Sequence, residues 1–141
     1  MGYEYLEHRA DIGMRVSADT LEGIFQDAAE GLFNIIYDAH TVSPIKSFSL
    51  LVQAPTLEFL VIEFLNEIVS LMDRKGIFFS QCVDIVIDAK KKIKVVQCVL
   101  RGESQNRDKH MVKTEVKAAT YSGLSLTRVN NNYIFQCLFD V

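Results

Sequence analysis

Apolar residues recur at helical spacing in two stretches of this chain and alternate or cluster in short runs elsewhere, a pattern that predicts two helices set among strands. Between Thr20 and Tyr37, Leu21, Ile24, Phe25, Ala28, Leu32, Ile35 and Ile36 fall on one side, with Glu22, Gln26, Asp27, Glu30 and Asn34 on the other. Such a helix covers a sheet. Asp19, three residues before Glu22, has the spacing of a capping box and marks the expected start. A second helix is expected from Thr56, just after Pro55, to about Arg74, with Gly76 placed to take the left-handed conformation that ends it. Leu57, Leu60, Val61, Phe64, Leu65, Ile68, Val69, Leu71 and Met72 cover so wide an arc of it that burial on more than one side follows. Glu58, Glu63, Asn66, Glu67 and Ser70 lie opposite.

The remaining pattern is β. Gly13 to Ser17 and Ser47 to Gln53 are strand candidates, and Ile77 to Ile87 with Ile93 to Leu100 reads as a hairpin turning through Asp88, Ala89 and a lysine run. Gly102 to His110 is polar and expected as a loop. Lys113 to Tyr121, Leu124 to Val129 and Tyr133 to Phe139 are expected strands, the last pair joined by Asn130-Asn131-Asn132, which tolerates left-handed backbone in a tight turn. With no repeat, low-complexity tract or linker, residues 1–141 read as a single domain of the α+β class. Two amphipathic helices would pack on mixed or antiparallel β-sheets, the central hairpin and polar loop forming a small subsidiary layer.

Composition narrows the possibilities. A length of 141 residues with 49% hydrophobic content fills one sizeable core and is short for two ordinary domains. There is no uncharged apolar run of about 18 residues, and Glu4 and Glu7 stand where a secretory signal is basic and then apolar. The expectation is a cytoplasmic protein with no membrane association. Cys82, Cys98 and Cys137 are odd in number, far apart and set in apolar runs, so they read as reduced core residues. A net charge of −3 argues against binding nucleic acid alone, and the one basic cluster, Lys90, Lys91, Lys92 and Lys94, reads as a solvated hairpin tip. RNA, if involved, is held by another protein.

Phosphate-cradling glycine loops, a serine nucleophile elbow and paired Cys-x-x-Cys motifs are absent from the sequence. What remains is a set of acids from separated segments, Asp11, Glu115 and Asp140, with His8 close to the first. In Tyr5-Leu6-Glu7-His8-Arg9-Ala10-Asp11 the ionisable side chains crowd a segment bounded by β-formers, and Phe139-Asp140-Val141 closes a strand-like run on an acid. Converging carboxylates repel unless a cation or protons neutralise them, which would favour a hard divalent ion such as Ca²⁺, Mg²⁺ or Mn²⁺. Spacing does not establish convergence, and acids at strand ends are commonly solvated. A metal-dependent hydrolase or nuclease also stays open, although no general base or basic groove stands out.

The run Tyr5 to Gly13 resembles the amino-terminal signature of the archease family, Glu-His-Thr-Ala-Asp followed by an apolar residue and Gly. Thr20-Leu21-Glu22, Ala28-Ala29 and Leu32-Phe33 resemble that family's first helix, and Phe64-Leu65-Asn66-Glu67 its second. Glu115-Val116-Lys117-Ala118-Ala119-Thr120-Tyr121 resembles its Glu-Ile-Lys-Ala-Val-Thr-Tyr block, and Phe139-Asp140-Val141 its usual terminus. The resemblance implies a non-enzymatic protein cofactor of the RNA-splicing ligase RtcB, which joins RNA ends bearing a cyclic or 3′-phosphate to 5′-hydroxyl ends. It implies promotion of the ligase's guanylylation and multiple turnover in tRNA splicing or RNA repair, with RNA reached only through the ligase. It places a divalent metal site, for Ca²⁺, Mg²⁺ or Mn²⁺, at Asp11, Glu115 and Asp140. His8 stands beside it as a ligand or orienting group, and Lys117 as a charge-balancing neighbour. A chaperone-like or methyltransferase-modulating role, also linked to archeases, is the alternative. Arg9 stands where the family has Thr and Ser122 where it often has His, departures that bear on metal affinity and partner choice.

Overall fold

In the computed structural model, which describes residues 2–7 and 11–141, two threonines start the long helices. Thr20 is extended and its hydroxyl accepts the Gly23 N–H at 3.0 Å, opening α1 (Leu21–Ile36). The cap is thus Thr20 rather than the expected Asp19, which is left exposed, because the hydroxyl one residue later reaches the free amide. Thr56 caps α2 (Leu57–Lys75) by accepting the Phe59 N–H at 3.2 Å, and Gly76, at φ 62 and ψ 40, ends it in the left-handed conformation its position predicts.

Strands β1 (Gly2–Glu7) and β2 (Asp11–Ala18) precede α1, and β3 (Lys46–Ala54) separates the helices. After α2 come β4 (Ile77–Asp88), β5 (Lys94–Ser104), the one-turn α3 (Arg107–His110), β6 (Ala118–Val129) and β7 (Asn132–Asp140). The sheet orders are β1-β2-β7-β6 and β3-β5-β4, with every neighbouring pair antiparallel. The helices lie between the sheets: α1 touches β1, β2 and β7 on one side and β4 on the other, whereas α2 touches β6 and, across from it, β3, β4 and β5. This accounts for the wide apolar arc of α2, since its residues from Leu60 to Met72 must serve both sheets.

Several expectations change at the joints. The hairpin β4–β5 is no subsidiary layer; with β3 it makes the second sheet. The expected loop from Gly102 to His110 is instead the end of β5 followed by α3, because Asn106 caps the turn by accepting the Lys109 N–H at 3.1 Å and buried His110 anchors it. Of the strand expected from Lys113 to Tyr121, Lys113 to Lys117 is not strand, and the rest is continuous with the one expected from Leu124 to Val129 as β6, bulged between Thr120 and Ser125 where Gly123 takes φ 68. The closing turn is Asn130-Asn131, both left-handed at φ 50 and 69, and Asn132 already belongs to β7. Cys82, Cys98 and Cys137 are buried and unbridged, and burial pushes the Cys137 thiol up to about 12. Among the described residues, no helix is long and apolar enough to cross a membrane.

Glu103 organises the polar stretch that sequence patterning reads as a loop. It accepts the Ser43 N–H at 2.7 Å and the Lys109 ammonium at 2.8 Å. His110 Nδ1 accepts the Asn106 N–H at 3.0 Å, so its Nε2 carries the proton and donates to Glu103 at 2.9 Å. The Lys109 bond first, then the Ser43 amide and His110, hold the Glu103 carboxyl at about 2 against an ordinary 4.5. A carboxyl lowered in the folded state adds stability above its unfolded pKa, and that contribution disappears as pH falls through the folded value. Urea unfolding should therefore show stability declining from pH 4.5 towards 2, with a smaller decline for Glu103→Gln; coincident pH profiles would contradict this role.

Candidate functional site

The register of β2 and β7 places Asp11 opposite Asp140, Ile12 opposite Phe139 and Met14 opposite Cys137. Side chains alternate along a strand, and Met14, Val16, Phe135, Cys137 and Phe139 are buried in the core, so Asp11 and Asp140 share the outer face of the sheet. Directly opposed residues have Cβ atoms about 4.5–5.5 Å apart. Two carboxylates are thus neighbours by construction, in an arrangement that repels unless a positive charge meets it. Among the described residues no ion pair reaches either one. On the other flank of Asp140 the register partner is Ala118, whose small side chain leaves the exposed aspartate unobstructed.

The segment entering β6 is fixed by its backbone. The Lys113 N–H donates to the Ile36 carbonyl at 2.8 Å, and the Lys117 N–H donates to the Asp140 carbonyl at 2.8 Å, tying the segment before β6 to the end of β7. Val116 is buried, so Glu115 and Lys117 on either side of it are exposed. From α2, the Asn66 side chain donates to the Ala119 carbonyl at 3.0 Å and accepts the Ala119 N–H at 2.7 Å. Asn66→Ala leaves both groups of buried Ala119 unpaired and should cost about 2 to 4 kcal/mol, lowering Tm by roughly 5–10 °C. An unchanged thermal unfolding curve would contradict this clamp.

The structure therefore brings together two of the three expected acids. Asp11 and Asp140 stand side by side with the Lys117 backbone bonded to Asp140, whereas Glu115 lines a cleft shared with Asp73, Arg107 and Lys113 over an apolar floor. Among the described residues no group of three or more His, Cys, Asp or Glu side chains is spaced to hold a metal ion. His8 and Arg9 lie outside the described residues, and Ser122 sits exposed in the β6 bulge. The Asn66 clamp was not singled out by sequence reasoning; its signal was an amide on a helix otherwise rich in apolar residues. Nor was the Tyr121 hydroxyl bonded to Glu63, beside which the ring meets Phe59 edge-on at 5.0 Å.

The chain matches the model of the Archease protein family over residues 3–141. It is 35% identical over 132 residues to the protein archease of Thermococcus kodakarensis, covering 90% of this chain and 89% of the relative. The solution structure of protein 1598 of Methanobacterium thermoautotrophicum superposes with a TM-score of 0.85 at 21% identity, covering 99% of each chain. A crystal structure from Thermotoga maritima described as an archease, possible chaperone, gives a TM-score of 0.65 at 19% identity, over 96% of this chain and 94% of that one. At these identities the two structures show a shared fold.

Proposed function

The chain belongs to the archease family, and from that premise we propose that it is a non-enzymatic activator of an RtcB-type RNA ligase, raising guanylylation and turnover in tRNA splicing or RNA repair. The observation that carries this reading is the opposed pair Asp11 and Asp140 on the outer face of β2 and β7. A fold that holds two like charges together has a use for a cation there. Asp11 and Asp140 would hold it through hard oxygen donors, and Ca²⁺, Mg²⁺ or Mn²⁺ bound to them would supply concentrated positive charge at the surface.

Among the described residues Glu115 is not gathered at that point, and positions that the two aspartates leave open would fall to water or to a partner's oxygens. An exposed pair of acids suits a contact surface better than an enclosed active site. The chain's part in activation is to present two carboxylates at the ends of the two central strands of a sheet, held by the Lys117-to-Asp140 bond and the Asn66 clamp. The Lys117 side chain is exposed where its backbone bonds to Asp140 and would add a cation for a partner's acids or phosphates. Forming a ligase–GMP bond releases pyrophosphate, and fixed charges aimed at such phosphates commonly contribute much of the acceleration. RNA would be met only through the ligase, in the cytoplasm.

A chaperone-like role is the competing reading, favoured by Leu51 and Val86, which are 54% and 62% exposed on the second sheet. Incubating an RtcB-type ligase with GTP, Mn²⁺ and this chain, and quantifying covalent ligase–GMP, separates the two. A raised yield is expected; no rise at any ratio, together with suppression of aggregation of an unrelated unfolded protein, would favour the chaperone.

A further inference from the structure

Away from the acidic pair, a cleft of about 370 Å³ opens between the start of β1, the middle of α1, the Ala39–Thr41 turn and β4. Its polar lining comes from Tyr3, Glu30, Asn34, His40, Ser80 and Gln81. Asn34 sets its shape: the amide donates to the Tyr3 hydroxyl at 3.0 Å and to the Glu30 carbonyl at 3.2 Å, and its oxygen accepts the Ala39 N–H at 2.9 Å. Two other groups lack partners. The Ser80 hydroxyl is buried and has no hydrogen-bond partner among the described residues, a condition uncommon enough in folded proteins to call for an occupant. The Glu30 carboxylate is half-buried and, among the described residues, enters no ion pair.

Burial pushes the Glu30 carboxyl up and nearby Asp27 adds to the push, while His40 on the rim opposes it. Among the described residues the cleft therefore offers the Glu30 carboxylate outside any ion pair, the unpartnered Ser80 hydroxyl and the Tyr3 side chain. An anion is repelled by Glu30. A metal ion finds too few donors, since no group of three His, Cys, Asp or Glu side chains is gathered among the described residues. The volume falls at the small end of ligand sites, which span about 300–1,000 Å³.

We propose that this cleft binds a small organic cation, its ammonium or guanidinium group paired with Glu30 and hydrogen-bonded to Ser80, with its alkyl stem against Tyr3. Guanidinium and ammonium groups satisfy a carboxylate and a hydroxyl together, and an aromatic face favours a cation beside it. The same chemistry can arrive as a free polyamine or as the arginine side chain of a protein. Amide NMR titrations of the full chain with agmatine and, separately, with N-acetylarginine amide test the assignment and distinguish these sources. The expected result is saturable shifts centred on Glu30, Asn34, His40 and Ser80, with affinity roughly tenfold weaker in Glu30→Gln and about threefold weaker in Ser80→Ala. Tighter binding of agmatine identifies a free amine, and tighter binding of the capped arginine identifies a protein side chain. Unchanged spectra elsewhere in both variants establish that the fold is intact. Absence of saturable shifts from either probe, or equal affinity in Glu30→Gln, would overturn the proposal.

Discussion

Asp140→Asn is expected to fold as well as the parent and to lose stimulation of the ligase. The substitution keeps the shape of the side chain, and Asp140 is exposed at the end of β7, so packing is untouched. It removes one of two like charges held opposite each other, a pairing that costs about 0.2–1 kcal/mol in a sheet. In the absence of divalent ions, Tm should therefore hold or rise slightly. An ion that binds only the folded chain raises its stability in proportion to saturation, so the parent's Tm should climb with Ca²⁺, Mg²⁺ or Mn²⁺ and the variant's should stay flat. Asp11→Asn should behave alike, because both carboxylates face the same point. A variant whose Tm climbs with the ion as the parent's does would remove the reason for placing a cation there.

The largest loss of stability is expected from Gly102→Ala. A Cβ at Gly102 would lie 1.8 Å from the Phe78 carbonyl oxygen, 2.7 Å from its carbon and 2.8 Å from the Phe79 Cα, all of them backbone atoms. Gly102 pairs with Lys46 on β3 and Phe79 on β4, beside a register shift between Phe79 and Gln81. Accommodating a methyl means prising β4 from β5. It also disturbs Phe79, whose N–H donates to the buried Tyr37 hydroxyl at 2.7 Å and whose carbonyl accepts that hydroxyl's proton at 2.6 Å. Overpacking a core typically costs about 1–3 kcal/mol, and a clash with main chain that cannot rotate away should reach or exceed the top of that range. Gly76→Ala is the control: nothing lies within 4 Å of its Cβ, and only its φ of 62 resists substitution, at roughly 1–2 kcal/mol. Denaturant unfolding reads both, and a Gly102→Ala midpoint equal to that of the parent would contradict the close approach.

Local signals carried much of the fold. The apolar periodicity of α1 and α2, Gly76 as the end of α2 and the Asn130-Asn131 turn were legible because each depends on residues a few positions apart. The start of α1 falls one residue later than Asp19 suggests, since Asp19 and Thr20 are both good caps and only the geometry shows whose oxygen reaches an amide. The polar stretch ending at His110 looked like loop because its order comes from Glu103, Ser43 and Lys109, contacts that periodicity does not reveal. Strand order was illegible for the same reason, and with it the placement of Asp11 opposite Asp140. Bare spacing offered those acids only as candidates; the family motifs paired them, and the β2–β7 register gives the physical reason. Glu115, which a third motif names, lines a cleft with Asp73 and Lys113.

Guanylylation of the ligase, measured with the parent chain and with Asp140→Asn across a series of Ca²⁺, Mg²⁺ and Mn²⁺ concentrations, tests the central claim most directly. The prediction is stimulation that grows with the ion for the parent and is absent for Asp140→Asn at every concentration; full stimulation by Asp140→Asn would contradict it.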